Sequence, residues 1–143
     1  MRTRDIATYL CLFVSSSIPT SATAAGDEQD YARQLSALVN DYRKSQNRPA
    51  LPIDETIATL AREHSSTMSK AGKLSHDGFE SRVHRSGFAM CIENVGWNYA
   101  LPKGQFDAWR ASAGHDRNML DPRVQRLGIG VAGGYVTMIA CAK

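Results

Sequence analysis

Near the end of the chain two apolar runs, residues 127–132 and 135–142, are separated by nothing but Gly133-Gly134. Two glycines in that place can both take the positive φ that a two-residue turn demands, so the chain is expected to end in an antiparallel β-hairpin. An isolated hairpin is marginal in water and needs further strands or helices over it. The rest of the 143 residues must supply that cover, and this length supports one compact domain rather than two.

The cover is visible upstream. Over residues 27–46 the apolar side chains Tyr31, Leu35, Leu38, Val39 and Tyr42 recur at helical spacing, with Arg33, Asp41, Arg43 and Lys44 assigned to the wet side. Pro49 and Pro52 punctuate the connection. Asp54 is placed to cap a second helix that turns Ile57, Leu60, Ala61 and Met68 inward and stops at Gly72. His64 falls on the same inner stripe; with no second ligand one turn away it is expected to be a buried histidine bonded into the core or across to a loop.

A loop from Leu74 should lead into a short helix over residues 79–85, closed by Gly87. Residues 88–95 then alternate as a strand, and a strand that turns Glu93 inward needs a partner for that charge. A helix over 105–113 carries Phe106 and Trp109, and residues 118–122 read as a turn. Gly128 and Gly130 alternate in the next strand, where they would let another backbone approach closely. Helices, a strand, a helix and a hairpin make an α+β domain: a small antiparallel sheet of three or four strands covered by helices. Met68, Met90, Met119 and Met138 fall at packing positions, and His84 sits among polar neighbours, in solvent.

The first residues read differently. Arg2 and Arg4 precede a mostly apolar stretch from Ile6 to Ile18, and Ala22-Thr23-Ala24 is a small-x-small cleavage signal. Residues 1–24 are expected to be a secretory signal peptide, leaving a single domain over 25–143. The apolar run is too short to span a bilayer, so no transmembrane segment is expected after cleavage. Removal takes Cys11 away and leaves Cys91 and Cys141 in a compartment where a disulfide persists. The pair is either that bond, closing a loop worth about 4 kcal/mol, or a buried thiol, or a reactive nucleophile. A net charge of +3, with no basic run longer than Arg43-Lys44, argues against a nucleic-acid partner.

Several short motifs then occur in a particular order: Ala61-Arg62-Glu63-His64-Ser65, Leu74-Ser75-His76, Arg82, Gly87-Phe88, Glu93-Asn94-Val95, Trp109, Gly114-His115, Asn118-Met119-Leu120 and Gly128-Ile129-Gly130-Val131. In that order they resemble the CAP superfamily of cysteine-rich secretory proteins, antigen five and pathogenesis-related proteins, in the short bacterial form called the SCP domain. The resemblance covers about residues 38–142. It implies an α-β-α sandwich, secreted and often disulfide-bonded, with a cavity lined by two histidines and two acidic residues. Carried onto this chain, the histidines are His76 and His115 and the first acidic residue is Glu93. The second acidic position holds Ser112, and Arg117 stands one place later than in the bacterial Gly-His-Arg pattern. His64, Ser112 and Asn94 are the secondary candidates around that cavity; Asn94 and Asn118 are expected to bond loop backbone beside it.

Two imidazoles and a carboxylate offer donors that suit a zinc ion with an open coordination position. The same groups can also satisfy one another as a hydrogen-bonded cluster without metal. No Gly-x-Ser-x-Gly surrounds Ser112, and a Cys91–His115 nucleophile pair is excluded if Cys91 is oxidised. Three readings follow: a secreted non-catalytic module binding a small molecule, lipid, metal or envelope component, which is preferred; a metal-dependent extracytoplasmic hydrolase; or a protein-interaction module presenting Trp97, Tyr99 and Tyr135, with the cavity as scaffold.

Overall fold

The computed structural model describes residues 21–143, so most of the expected signal peptide lies outside the described residues. Among these, α1 (Ser21–Ser45), α2 (Glu55–Ala71), α3 (Phe79–Ser86), β1 (Met90–Trp97), α4 (Pro102–Ala111), α5 (Ala113–Met119), β2 (Arg126–Ala132) and β3 (Tyr135–Ala142) follow one another. The three strands form one antiparallel sheet in the order β1-β3-β2. Gly133 and Gly134 close the hairpin with φ of 56° and 79°.

Strand alternation divides the core in two. Val136, Met138 and Ala140 of β3 join Leu127, Ile129 and Val131 of β2 against Leu35 and Val39 of α1 and Phe106 and Trp109 of α4. Ile139 and Cys141 face the other way, onto Ile57, Leu60 and Ala61 of α2, with Phe79 and Val83 of α3 packed beside them. The architecture is therefore helices on both faces of a small sheet. No helix among the described residues is long and apolar enough to cross a membrane.

The strand glycines explain how closely α2 lies on β2. A Cβ at Gly128 would stand 2.3 Å from the Ala58 nitrogen, and one at Gly130 2.0 Å from the Arg62 nitrogen. The cap of α2 is also as expected: the Asp54 carboxylate accepts from the Ile57 N–H at 3.0 Å, and Gly72 ends the helix in the left-handed region.

Cys91 and Cys141 face each other across β1 and β3 and form a disulfide, with Cα atoms 4.1 Å apart. Directly opposed residues of a non-hydrogen-bonded antiparallel pair come about this close, so the register itself brings the two thiols together.

Two sequence expectations need correction. No helix was expected between 113 and the turn at 118–122, yet α5 runs over Ala113–Met119, through Gly114, His115, Asp116 and Asn118, four weak helix formers. Tertiary contacts hold it: the Tyr42 hydroxyl donates to the Asp116 carboxylate at 2.9 Å, and Met119 is fully buried. Arg43, assigned to the wet side of α1, is fully buried. Its guanidinium donates to the carbonyls of Pro49 at 2.9 Å, Met119 at 2.8 Å and Asp121 at 3.0 Å. One long donor-rich side chain thereby satisfies loop carbonyls that would otherwise be buried unpaired.

Candidate functional site

Cys91, Glu93 and Val95 of β1 share one face of the strand, and Glu93 is buried on it. A buried carboxylate needs compensating charge and donors. Arg82, projecting from α3, supplies both through a two-pronged contact, Nε to Oε2 and Nη2 to Oε1, each 2.8 Å. The guanidinium also donates to the Asp77 carbonyl at 2.8 Å, which fixes the loop that carries His76. From that loop His76 places Nδ1 2.8 Å from Glu93 Oε1. His64, buried on α2, stands 3.8 Å from the same oxygen.

Hydrogen-bond chemistry assigns the ring protons. His64 Nε2 lies 2.7 Å from the Ser75 carbonyl; a carbonyl only accepts, so Nε2 carries the proton. Burial pushes the His64 pKa below its ordinary 6.5, against the smaller opposing pull of that carbonyl. The ring is therefore neutral at pH 7. His76 donates from Nδ1 to the Glu93 carboxylate, so in the neutral ring its lone pair is on Nε2, and this side chain is 57% exposed.

The other side of β1 is tied to α5. The Asn94 side-chain amide donates to the His115 carbonyl at 3.0 Å, while Asn118 donates to Asn94 Oδ1 at 2.8 Å and to the Glu93 carbonyl at 3.2 Å. The His115 ring is held below its ordinary 6.5 by burial and, secondarily, by the nearby charge of His76. His76, Glu93 and His64 are thus in one cluster, with His115 close enough to sense His76 but bonded here through its backbone.

Residues 37–140 match the family described as the cysteine-rich secretory protein family, CAP. The chain belongs to the CAP family. Its match to YkwD of Bacillus subtilis strain 168 is 28% identical over 121 residues, covering 78% of this chain and 46% of that protein, so the CAP chain spans less than half of the curated relative's length. An extracellular protein containing an SCP domain from Bacillus anthracis superposes with a TM-score of 0.81 at 27% identity, over 89% of this chain and 45% of the other. An outer surface protein of Borrelia burgdorferi superposes with a TM-score of 0.74 at 17% identity, over 82% and 96% of the two chains, and shows the shared fold.

In this CAP domain Glu93 is not presented as a free metal ligand. Among the described residues no group of three or more His, Cys, Asp or Glu side chains could hold a metal ion. The reason lies at Glu93, whose two oxygens are taken by the Arg82 fork and by His76. A dication there would have to displace a guanidinium or stand beside it. Ser112 forms the junction between α4 and α5; its carbonyl accepts from the Asp116 N–H at 2.8 Å, and no hydrogen bond from its hydroxyl occurs among the described residues.

Arg82 was not picked out as a site residue from the sequence, although the inward Glu93 required a cation and α3 supplies one from its inner side. The aromatic group also divides. Trp97 and Tyr99 are exposed, but Tyr135 is buried in a cluster with Met68 and Val95, and Trp97 stacks on it with ring centroids 5.8 Å apart. Tyr135 is therefore a support for Trp97 and not a contact surface.

Proposed function

We propose that this CAP domain works outside the cytoplasm as a binding module, with no reaction of its own, whose recognition site is the edge of β1 where His76, Glu93 and His115 gather. The observation that carries this reading is the commitment of Glu93 to Arg82: a carboxylate held by a guanidinium fork organises its neighbours and is a poor free base or metal ligand. The disulfide supports an oxidising compartment, and the Bacillus anthracis and Borrelia burgdorferi proteins are described as extracellular and outer-surface proteins.

The test is a thermal-shift screen of the purified chain against small metabolites, fatty acids and solubilised envelope material, repeated with His76→Ala. The expected result is a compound that raises the melting temperature of the parent, does so less for the variant, and is recovered unchanged by mass spectrometry. Recovery of a product that forms only with an intact His76 would overturn it. One observation favours that hydrolytic reading: the Glu93–His76 contact leaves Nε2 of an exposed imidazole as a base.

A further inference from the structure

The two outer edges of the sheet are treated differently. Along β1 two outward carbonyls are closed by side chains: Asn118 donates to the Glu93 carbonyl at 3.2 Å, and the Trp109 indole N–H to the Val95 carbonyl at 3.0 Å. Along β2 the N–H and C=O of Leu127 both point away from β3, to Pro52 and Asp54, so by the two-residue period of a strand the outward groups are those of Leu127, Ile129 and Val131, and Gly128 and Gly130 turn theirs to β3.

Leu127 is occupied. Its N–H donates to the Pro52 carbonyl at 3.0 Å, and its carbonyl accepts from the Asp54 N–H at 2.9 Å, a short parallel bridge made by the segment before α2. At the far end the Gly133 N–H donates to the Glu28 carboxylate at 2.8 Å. Between these two closures the N–H and C=O groups of Ile129 and Val131 have no partner among the described residues. Beside them, between α1 and α2, lies a cleft of about 660 Å³ lined by Ile129, Gly130 and Val131 and, on the helices, by Ala32, Ala37 and Ala58.

We propose that this open edge takes an extended peptide segment of another protein as an added strand, at a site separate from the His76–Glu93 cluster. Two N–H and two C=O groups at strand spacing demand an equally regular row of complementary groups, which a polypeptide backbone provides and an alkyl chain does not. The alternating side chains of a guest would turn towards the alanines of the two walls. Helix α1 contributes both Glu28 and Arg33 to the lining, and α2 both Glu55 and Arg62. Such a mixed lining complements a peptide carrying both signs of charge and disfavours a polyanion. A second copy does not fit by edge-to-edge pairing, because each copy's β2 lies between its own α1 and α2. The existing Ile53–Leu127 bridge shows that this edge accepts a parallel partner, and the guest would continue it along the same line.

The test uses the full chain and a displayed library of random extended peptides. By NMR hydrogen exchange, the Ile129 and Val131 amides of the free protein should exchange fast while those of Gly128 and Gly130 are protected, and a selected peptide should slow the first pair. N-methylation along that peptide should weaken binding at alternate positions only, by about tenfold for each hydrogen bond removed. Val131→Pro, which removes one outward N–H and leaves the pairing to β3 intact, should weaken it similarly, and Ala37→Arg should do so by filling the cleft. Equal protection of all four amides in the free chain, or binding indifferent to N-methylation, would overturn the proposal. Protection of Ile129 and Val131 that disappears when residues 1–24 are removed would also overturn it, by showing that the chain fills its own edge.

Discussion

Arg82 holds Glu93 through two hydrogen bonds of 2.8 Å at a point where both side chains are almost wholly buried. Breaking one half of such a pair strands the other charge in a poor dielectric. Glu93→Gln is therefore expected to cost about 3–5 kcal/mol, read from the urea midpoint. The double variant Arg82→Met, Glu93→Leu should recover part of that loss, since neither charge is then left alone. A double variant less stable than Glu93→Gln would contradict this balance.

Stability should fall as the solution is acidified through the histidine range. The folded-state pKa of His64 and of His115 lies below 6.5, mainly through burial. Between the folded and unfolded values the unfolded chain binds more protons, so the stabilisation is complete above about 6.5 and is lost as the pH drops through that window. His64→Gln keeps a donor for the Ser75 carbonyl and removes the titration, so urea midpoints of this variant should decline less with acidification. Asp121, held below its ordinary 3.8 first of all by its hydrogen bond from Arg123, contributes a separate loss at lower pH.

Removing the disulfide should cost about 4 kcal/mol by loop-closure entropy, since Cys91 and Cys141 are 50 residues apart. Peptide mapping under non-reducing conditions should recover these two cysteines as one linked pair, and Cys91→Ala, Cys141→Ala should lower the urea midpoint without changing the far-UV spectrum. Full stability in the double variant would show that the bond adds nothing to the sheet register.

Gly130→Ala should destabilise by about 1–3 kcal/mol, because the new methyl group must push α2 away from β2. Gly114 is the control: on α5 the nearest atom to an added Cβ is the end of the Arg117 side chain at 4.0 Å. Gly114→Ala should be neutral or stabilising by up to about 1 kcal/mol. Equal losses at both positions would refute the close-approach explanation.

Much of this was legible in the sequence wherever one residue had a single physical use. Gly133-Gly134 located the hairpin, Asp54 and Gly72 bounded α2, and Gly128 and Gly130 announced a close approach. His64 was expected to be buried and bonded either into the core or across to a loop, and it donates to the Ser75 carbonyl of the loop after α2. What stayed hidden depends on distant partners. Helix α5 is short, with four weak helix formers in seven residues, and leans on the Tyr42–Asp116 hydrogen bond and the burial of Met119. The spacing of Arg43 looked like that of a solvated residue until the loop carbonyls it serves were in view. At the site, Glu93 signalled an inward charge, but whether a metal or an arginine answered it depends on how α3 is set against β1.

The structural role assigned to Glu93 is tested most directly by zinc titration of the purified chain at neutral pH, with elemental analysis after desalting and His76→Ala and His115→Ala in parallel. With Glu93 engaged by Arg82, no stoichiometric zinc should be retained and the melting temperature should not move. About one zinc per chain, lost in both variants and accompanied by a raised melting temperature in the parent, would contradict it.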